Sequence, residues 1–109
     1  MSFKVVVTSG FKKQFKNIVK KHHSLKSDIT KLIDSLEQEP TQGTPLGKDC
    51  YKVRMAIKSK GKGKSGGSRI ITCIKIVEQH VYLLSIYDKS DKESISDKEL
   101  DKLLKLAGL

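Results

Sequence analysis

Residues 50–89, CYKVRMAIKSKGKGKSGGSRIITCIKIVEQHVYLLSIYDK, contain three runs of strand-forming residues. Cys50 to Ile57, Arg69 to Val77 and Val81 to Asp88 are rich in β-branched and aromatic side chains. Gly, Ser and Lys interrupt the first pair, and Glu78, Gln79 and His80 supply a short hairpin turn between the second. His80 is accordingly expected in the turn. Successive side chains of a strand leave opposite faces, so Lys52 and Arg54 project from one side while Tyr51, Val53, Met55 and Ile57 cover the other. The intervening KSKGKGKSGGS, Lys58 to Ser68, reads as a mobile cationic hairpin.

Upstream, Phe3 to Thr8 is a short β-branched strand, followed by Ser9 as a helix cap. Phe11, Phe15, Ile18, Val19 and His22 recur on one helical face, with lysines on the others. Leu25, Ile29, Leu32, Ile33 and Leu36 repeat the same spacing in a second helix that Pro40 closes. His23 and Ser24 leave room for a tight turn only, which predicts an antiparallel helical hairpin; His22 and His23 suit a helix C-terminus. Thr41 to Asp49, TQGTPLGKD, reads as loop. Downstream, Ser96 and Glu99 match a capping box and Ile95 with Leu100 a hydrophobic staple. Leu100, Leu103, Leu104 and Ala107 form the apolar stripe of that last helix, and Gly108 ends it. The order β-α-α-β-β-β-α over residues 1–109 predicts one α+β domain: an antiparallel sheet packed by a helical hairpin, with a C-terminal helix.

The chain carries 22 Lys and Arg against 12 Asp and Glu, a net charge of +10. Residues 48–75 hold nine of the cations and one acid, the footprint of a protein that meets phosphate backbones. Only two cations are arginines, Arg54 and Arg69, both in that segment. Their placement on strands suggests sites that need a planar, permanently charged fork, with an internal ion pair as the competing explanation. Apolar runs are strand-sized, far short of the roughly 20 residues of a membrane span. No secretory signal opens the chain, so a cytoplasmic protein is expected, with Cys50 and Cys73 as buried thiols.

GKGKS invites comparison with a phosphate-binding P-loop, but Lys58 stands where the first glycine is needed and the loop leads to a strand instead of a helix. Apart from Asp49, the acidic residues lie on the second helix and in the C-terminal third, and no histidine falls among the strand cations. Neither a metal site nor a cofactor is expected. What remains is Lys52, Arg54, Arg69 and Lys89, the last beside Tyr87. If the strands form a meander, these cations converge on one concavity able to bind an oxyanion and to stabilise a phosphorane-like transition state. A contact surface for nucleic acid without catalysis is the plainer alternative.

The block from Tyr51 to Lys89 resembles the RelE/ParE superfamily of bacterial type II toxins, most closely its RelE and HigB-like branch. It carries a Tyr-Lys-x-Arg strand, a Gly-Gly-x-Arg strand entry, a hydrophobic strand and a Tyr-x-Lys end. Together with the order of elements, the likeness spans Phe3 to Leu106. It implies a ribosome-dependent mRNA endonuclease that needs no metal and is neutralised by a cognate antitoxin. It further implies Lys52, Arg54, Arg69 and Lys89 as catalytic residues. The arginines would hold the phosphate; Lys52 and Lys89 would serve as base and acid, in either assignment. Lys58, Lys60, Lys62, Lys64 and Tyr87 are expected to contact RNA. Ser94 and Ile95 stand where RelE-like members commonly carry a tyrosine, leaving Tyr87 as the available one. The long Lys58–Gly67 segment favours the HigB-like branch. A ParE-like gyrase inhibitor of the same fold and a non-catalytic RNA-binding domain are the alternatives.

Overall fold

The alternating run Cys50–Asp88 builds the centre of a five-stranded sheet, seen in a computed structural model that describes residues 2–92 and 94–109. In chain order the elements are β1 (Lys4–Val7), α1 (Ser9–Val19), α2 (Leu25–Gln38), β2 (Thr44–Gly47), β3 (Cys50–Met55), a one-turn 3-10 helix (Lys58–Lys60), β4 (Ser68–Lys75), β5 (His80–Asp88) and α3 (Asp97–Leu106). The sheet order is β1-β5-β4-β3-β2. The helical hairpin packs on one face and α3 on the other, as the α+β expectation requires. One sheet edge adds a detail: β1 runs parallel to β5, so the sheet is mixed, although β2 to β5 are all antiparallel neighbours.

Each face owns a core. Phe11, Leu25, Ile29, Leu32 and Leu36 of the hairpin meet Val53, Met55, Ile57, Ile70, Leu83 and Ile86. On the other side Leu100, with Leu103 and Leu104 of α3, covers Cys50, Ile71, Cys73, Leu84 and Tyr87. Among the described residues no helix is long and apolar enough to cross a membrane.

Four boundaries depart from the sequence expectation. Thr44–Gly47, read as loop, is an edge strand against β3; Pro45 is tolerated because an edge has a side without partners, and a register shift between Pro45 and Gly47 ends the pairing. His80 is the first residue of β5, opposite Lys75, and the turn is Ile76–Gln79 instead, with Gln79 at φ 56°. Thr8, not Ser9, caps α1, accepting a hydrogen bond from the Phe11 N–H at 3.3 Å. That helix stops at Val19, short of His22.

The capping box of α3 is present in full: the Glu99 N–H donates to Ser96 Oγ at 3.1 Å and the Ser96 N–H to Glu99 Oε1 at 3.2 Å. The helix it starts packs over two thiols. Cys50 and Cys73 face each other across β3 and β4 and are buried and free, and the Cys50 thiol donates to the Lys48 carbonyl at 3.4 Å. Interaction between the neighbouring thiols raises Cys50 and lowers Cys73 in the folded protein. Ser96→Ala should cost about 1 kcal/mol. If α3 is the cover, native-state labelling of the cysteines by a thiol reagent should accelerate roughly fivefold; an unchanged rate would mean that the thiols open by another route.

Candidate functional site

The ladder phase decides which cations meet. The Ile74 N–H donates to the Asp49 carbonyl at 2.9 Å, making those two a hydrogen-bonded pair. The pairs Cys50/Cys73, Lys52/Ile71 and Arg54/Arg69 therefore fall at the alternate, closer positions of the β3–β4 ladder. Beyond β4, Arg69 lies opposite Tyr87. An irregularity between Ile71 and Thr72 leaves Leu84 as an extra residue in β5. The bulge inverts the alternation: Tyr82 and Leu84 face α3 before it, and Tyr87 does so after it, while Ile86 joins the hairpin core. The result is a row of Arg54, Arg69 and Tyr87 across three strands, with Lys52 one step along β3 on the same face.

The members of the row differ in access. Arg54 is exposed. Lys52 is half-buried and its Nζ donates to Ser94 Oγ at 3.3 Å. Arg69 is only 2% exposed, and its guanidinium donates to the carbonyls of Lys64 (3.1 Å), Ser65 (3.2 Å) and Ser68 (3.2 Å). A planar fork with fixed donors suits such a task, because one side chain ties together successive carbonyls of a loop that has no ladder of its own. Tyr87 is 7% exposed, with Lys92 Nζ 5.0 Å from its ring centroid. Lys89, half-buried, follows β5, and its backbone N–H donates to the Gly67 carbonyl at 3.0 Å.

Lys58–Ser68 is therefore a docked segment and not the mobile hairpin expected from its glycines. Its first turn sits on the start of α2: the Ser59 N–H donates to Ser24 Oγ (2.8 Å), the two serine hydroxyls lie 2.9 Å apart, and the Lys58 N–H donates to Asp28 Oδ2 (3.1 Å). Gly67 is packed so closely that a Cβ there would lie 2.3 Å from the Met55 carbonyl oxygen. A further anchor is Asp88. Its Oδ1 accepts from Lys60 Nζ (2.7 Å), the Ser90 N–H (2.9 Å) and Ser90 Oγ (2.7 Å), while Oδ2 lies 3.2 Å from His22 Nε2. Burial alone would raise this carboxyl, but the Lys60 and Ser90 hydrogen bonds outweigh it and hold Asp88 well below the usual carboxylate range. His22 thus closes the α1 end onto β5 through a side-chain contact, a role beyond the helix-end reading.

Docking also sorts the lysines that the sequence placed in one loop. Lys58 and Lys64 line a groove against α2, whereas Lys60 and Lys62 line a smaller depression against α1. The residues the sequence reading passed over are those that do the pinning. Ser24 and Asp28, four apart at the start of α2, carry a helix-start signal that pointed to the helix and not to a loop partner 35 residues away. Among the described residues no group of His, Cys, Asp or Glu is arranged to hold a metal ion.

This arrangement of a mixed five-stranded sheet between a helical hairpin and a terminal helix is shared with solved RelE structures. The Mycobacterium tuberculosis RelBE2 toxin–antitoxin complex contains a chain that superposes with a TM-score of 0.61 at 16% identity, covering 81% of this chain and 99% of that one. A free-state double mutant of Escherichia coli RelE gives 0.61 at 14% identity over 99% and 96%. Isolated E. coli RelE gives 0.61 at 13% over 96% and 99%. Residues 10–109 match the sequence profile of the RelE toxin of RelE/RelB toxin–antitoxin systems, and the chain belongs to that family.

Proposed function

We propose that this protein is the toxin of a type II toxin–antitoxin pair and that it cleaves mRNA on the ribosome without a metal. The observation that carries the reading is the cross-strand row: two arginines at a close ladder pair, with Lys52 beside them and Lys89 just past the end of β5. In the proposed reaction the ribose 2′-hydroxyl attacks the adjacent phosphorus and loses its proton to one lysine, Lys52 or Lys89. The bond to the 5′-oxygen breaks, and the other lysine protonates the leaving oxygen. A cyclic phosphate and a free 5′-hydroxyl remain. The exposed Arg54 fork binds a non-bridging oxygen and stabilises the charge that develops there. Arg69 acts from beneath, holding Lys64 to Ser68 in shape so that the rim of the site is formed before RNA arrives.

A cationic surface of this kind also suits a neutralising antitoxin whose acidic or amphipathic segment folds on binding. Induction of the protein in cells, followed by mapping of transcript ends, should yield cuts inside translated reading frames, relieved by co-expression of the antitoxin. DNA damage with intact mRNA would replace this reading with gyrase inhibition.

A further inference from the structure

The pairing of β2 with β3 ends at Thr44, opposite Lys52, so among the described residues the edge of β3 away from β4 carries no strand from Val53 onward. Along this open edge runs a groove of about 620 Å³, walled by α2 on one side and by the docked Lys58–Lys64 turn on the other. That volume lies within the range of small-ligand sites. Lys31, Arg54, Lys58 and Lys64 ring it, and none of these four side chains has a hydrogen bond or ion pair among the described residues. The one carboxylate at its wall, Asp28, accepts on Oδ2 from the Ser24 hydroxyl (2.7 Å) and the Lys58 N–H (3.1 Å). Leu32, Met55 and Ile57 give it an apolar floor. Four cations against one carboxylate leave the concavity strongly positive, and a polyanion relieves the repulsion among them while releasing its own counterions. Arg54 borders both this groove and the cation row, so a strand lying on the row can continue over the open edge of β3.

We infer that single-stranded RNA extends from the Lys52–Arg54 row across the β3 edge into the α2 groove, where Lys31, Lys58 and Lys64 bind its phosphates. The inference rests on the RNA reading above and adds a second binding segment on the hairpin side of the sheet. A polynucleotide is favoured over an acidic peptide because the groove is continuous, through Arg54, with the row on which the proposed function places mRNA.

The test is binding of a fluorescein-labelled oligouridylate to the full chain across a salt series. The Lys31→Glu/Lys64→Glu double variant is compared with Lys13→Glu/Lys20→Glu, an equal charge change on exposed positions of α1 and its C-cap. Loss of two single-strand phosphate contacts should flatten the slope of log Kd against log salt by about 1.4, since each contributes about 0.7. Affinity at low salt should fall on the order of tenfold, with the control slope unchanged. Equal effects of both doubles would reduce the groove to net charge and overturn the inference. So would oligouridylate that fails to bind while an oligoglutamate does, which would assign the groove to an acidic protein segment. Thermal melts confirm that both doubles fold. In-frame cleavage with an unaltered salt slope sinks the groove alone; groove binding without cleavage in cells sinks the nuclease alone.

Discussion

Asp88→Asn should lower the melting temperature at neutral pH by roughly 15 °C. The carboxylate sits where β5, the end of α1 and the cationic segment meet, and its side chain is about one-tenth exposed, as is that of Lys60. Removing one partner of a buried ion pair leaves the other charge uncompensated and costs about 3 kcal/mol at the lower end of the usual range. For a domain of this size that corresponds to roughly 5 °C per kcal/mol. The pH dependence gives an independent check. Asp88 has a depressed carboxyl in the folded state, so its stabilisation is complete above the unfolded value near ~4. It is lost as pH falls from there through the folded value. The gap between wild type and variant should therefore be wide at about pH 6 and narrow steadily below about pH 4. Amide exchange should rise in Lys58–Gly67 more than in α3, because the anchor belongs to that segment. A variant that melts within about 3 °C of wild type at pH 6 would show that Lys60 simply turns to solvent.

The central strands were legible because β4 and β5, covered on both faces, read as near-continuous apolar runs, whereas β3 alternates between buried Val53 and Met55 and the more exposed Lys52 and Arg54. The helices and the α3 cap were legible for the same local reason. What escaped were the long-range choices. Thr44–Gly47 becomes a strand only because β3 offers an edge, which local composition rich in Gly and Pro cannot reveal. Glycine-rich Lys58–Ser68 looks flexible in isolation, yet backbone donors and carbonyls there find Ser24, Asp28 and Arg69, all distant or in another element. Leu84 as an extra residue in β5 is invisible to pattern reading, although it decides that Tyr87 and Arg69 share a face. Of the candidate cations Lys52, Arg54 and Arg69 lie in strands and Lys89 falls one residue past β5, but exposure separates them, and exposure follows from loop docking.

That separation splits two arginines that sequence alone treats alike. Arg54→Lys keeps the charge of an exposed side chain and loses only the fork, so single-turnover mRNA cleavage on programmed ribosomes should fall on the order of 100-fold, about 3 kcal/mol. Its melting temperature and ribosome affinity should stay near wild type. Arg69→Lys places an ammonium in a site built for a guanidinium donating to three carbonyls, and a lysine cannot span them. Losing two charge-assisted hydrogen bonds in a buried setting should cost about 2 to 3 kcal/mol of stability, a drop of roughly 10 °C or more. Any cleavage defect in Arg69→Lys should track opening of the Lys64–Ser68 backbone, seen as faster amide exchange there. Slow cleavage in Arg69→Lys with wild-type stability and exchange would move that arginine from beneath the site into direct contact with phosphate. Wild-type cleavage in Arg54→Lys would remove the exposed fork from the chemistry and leave the row as a binding surface.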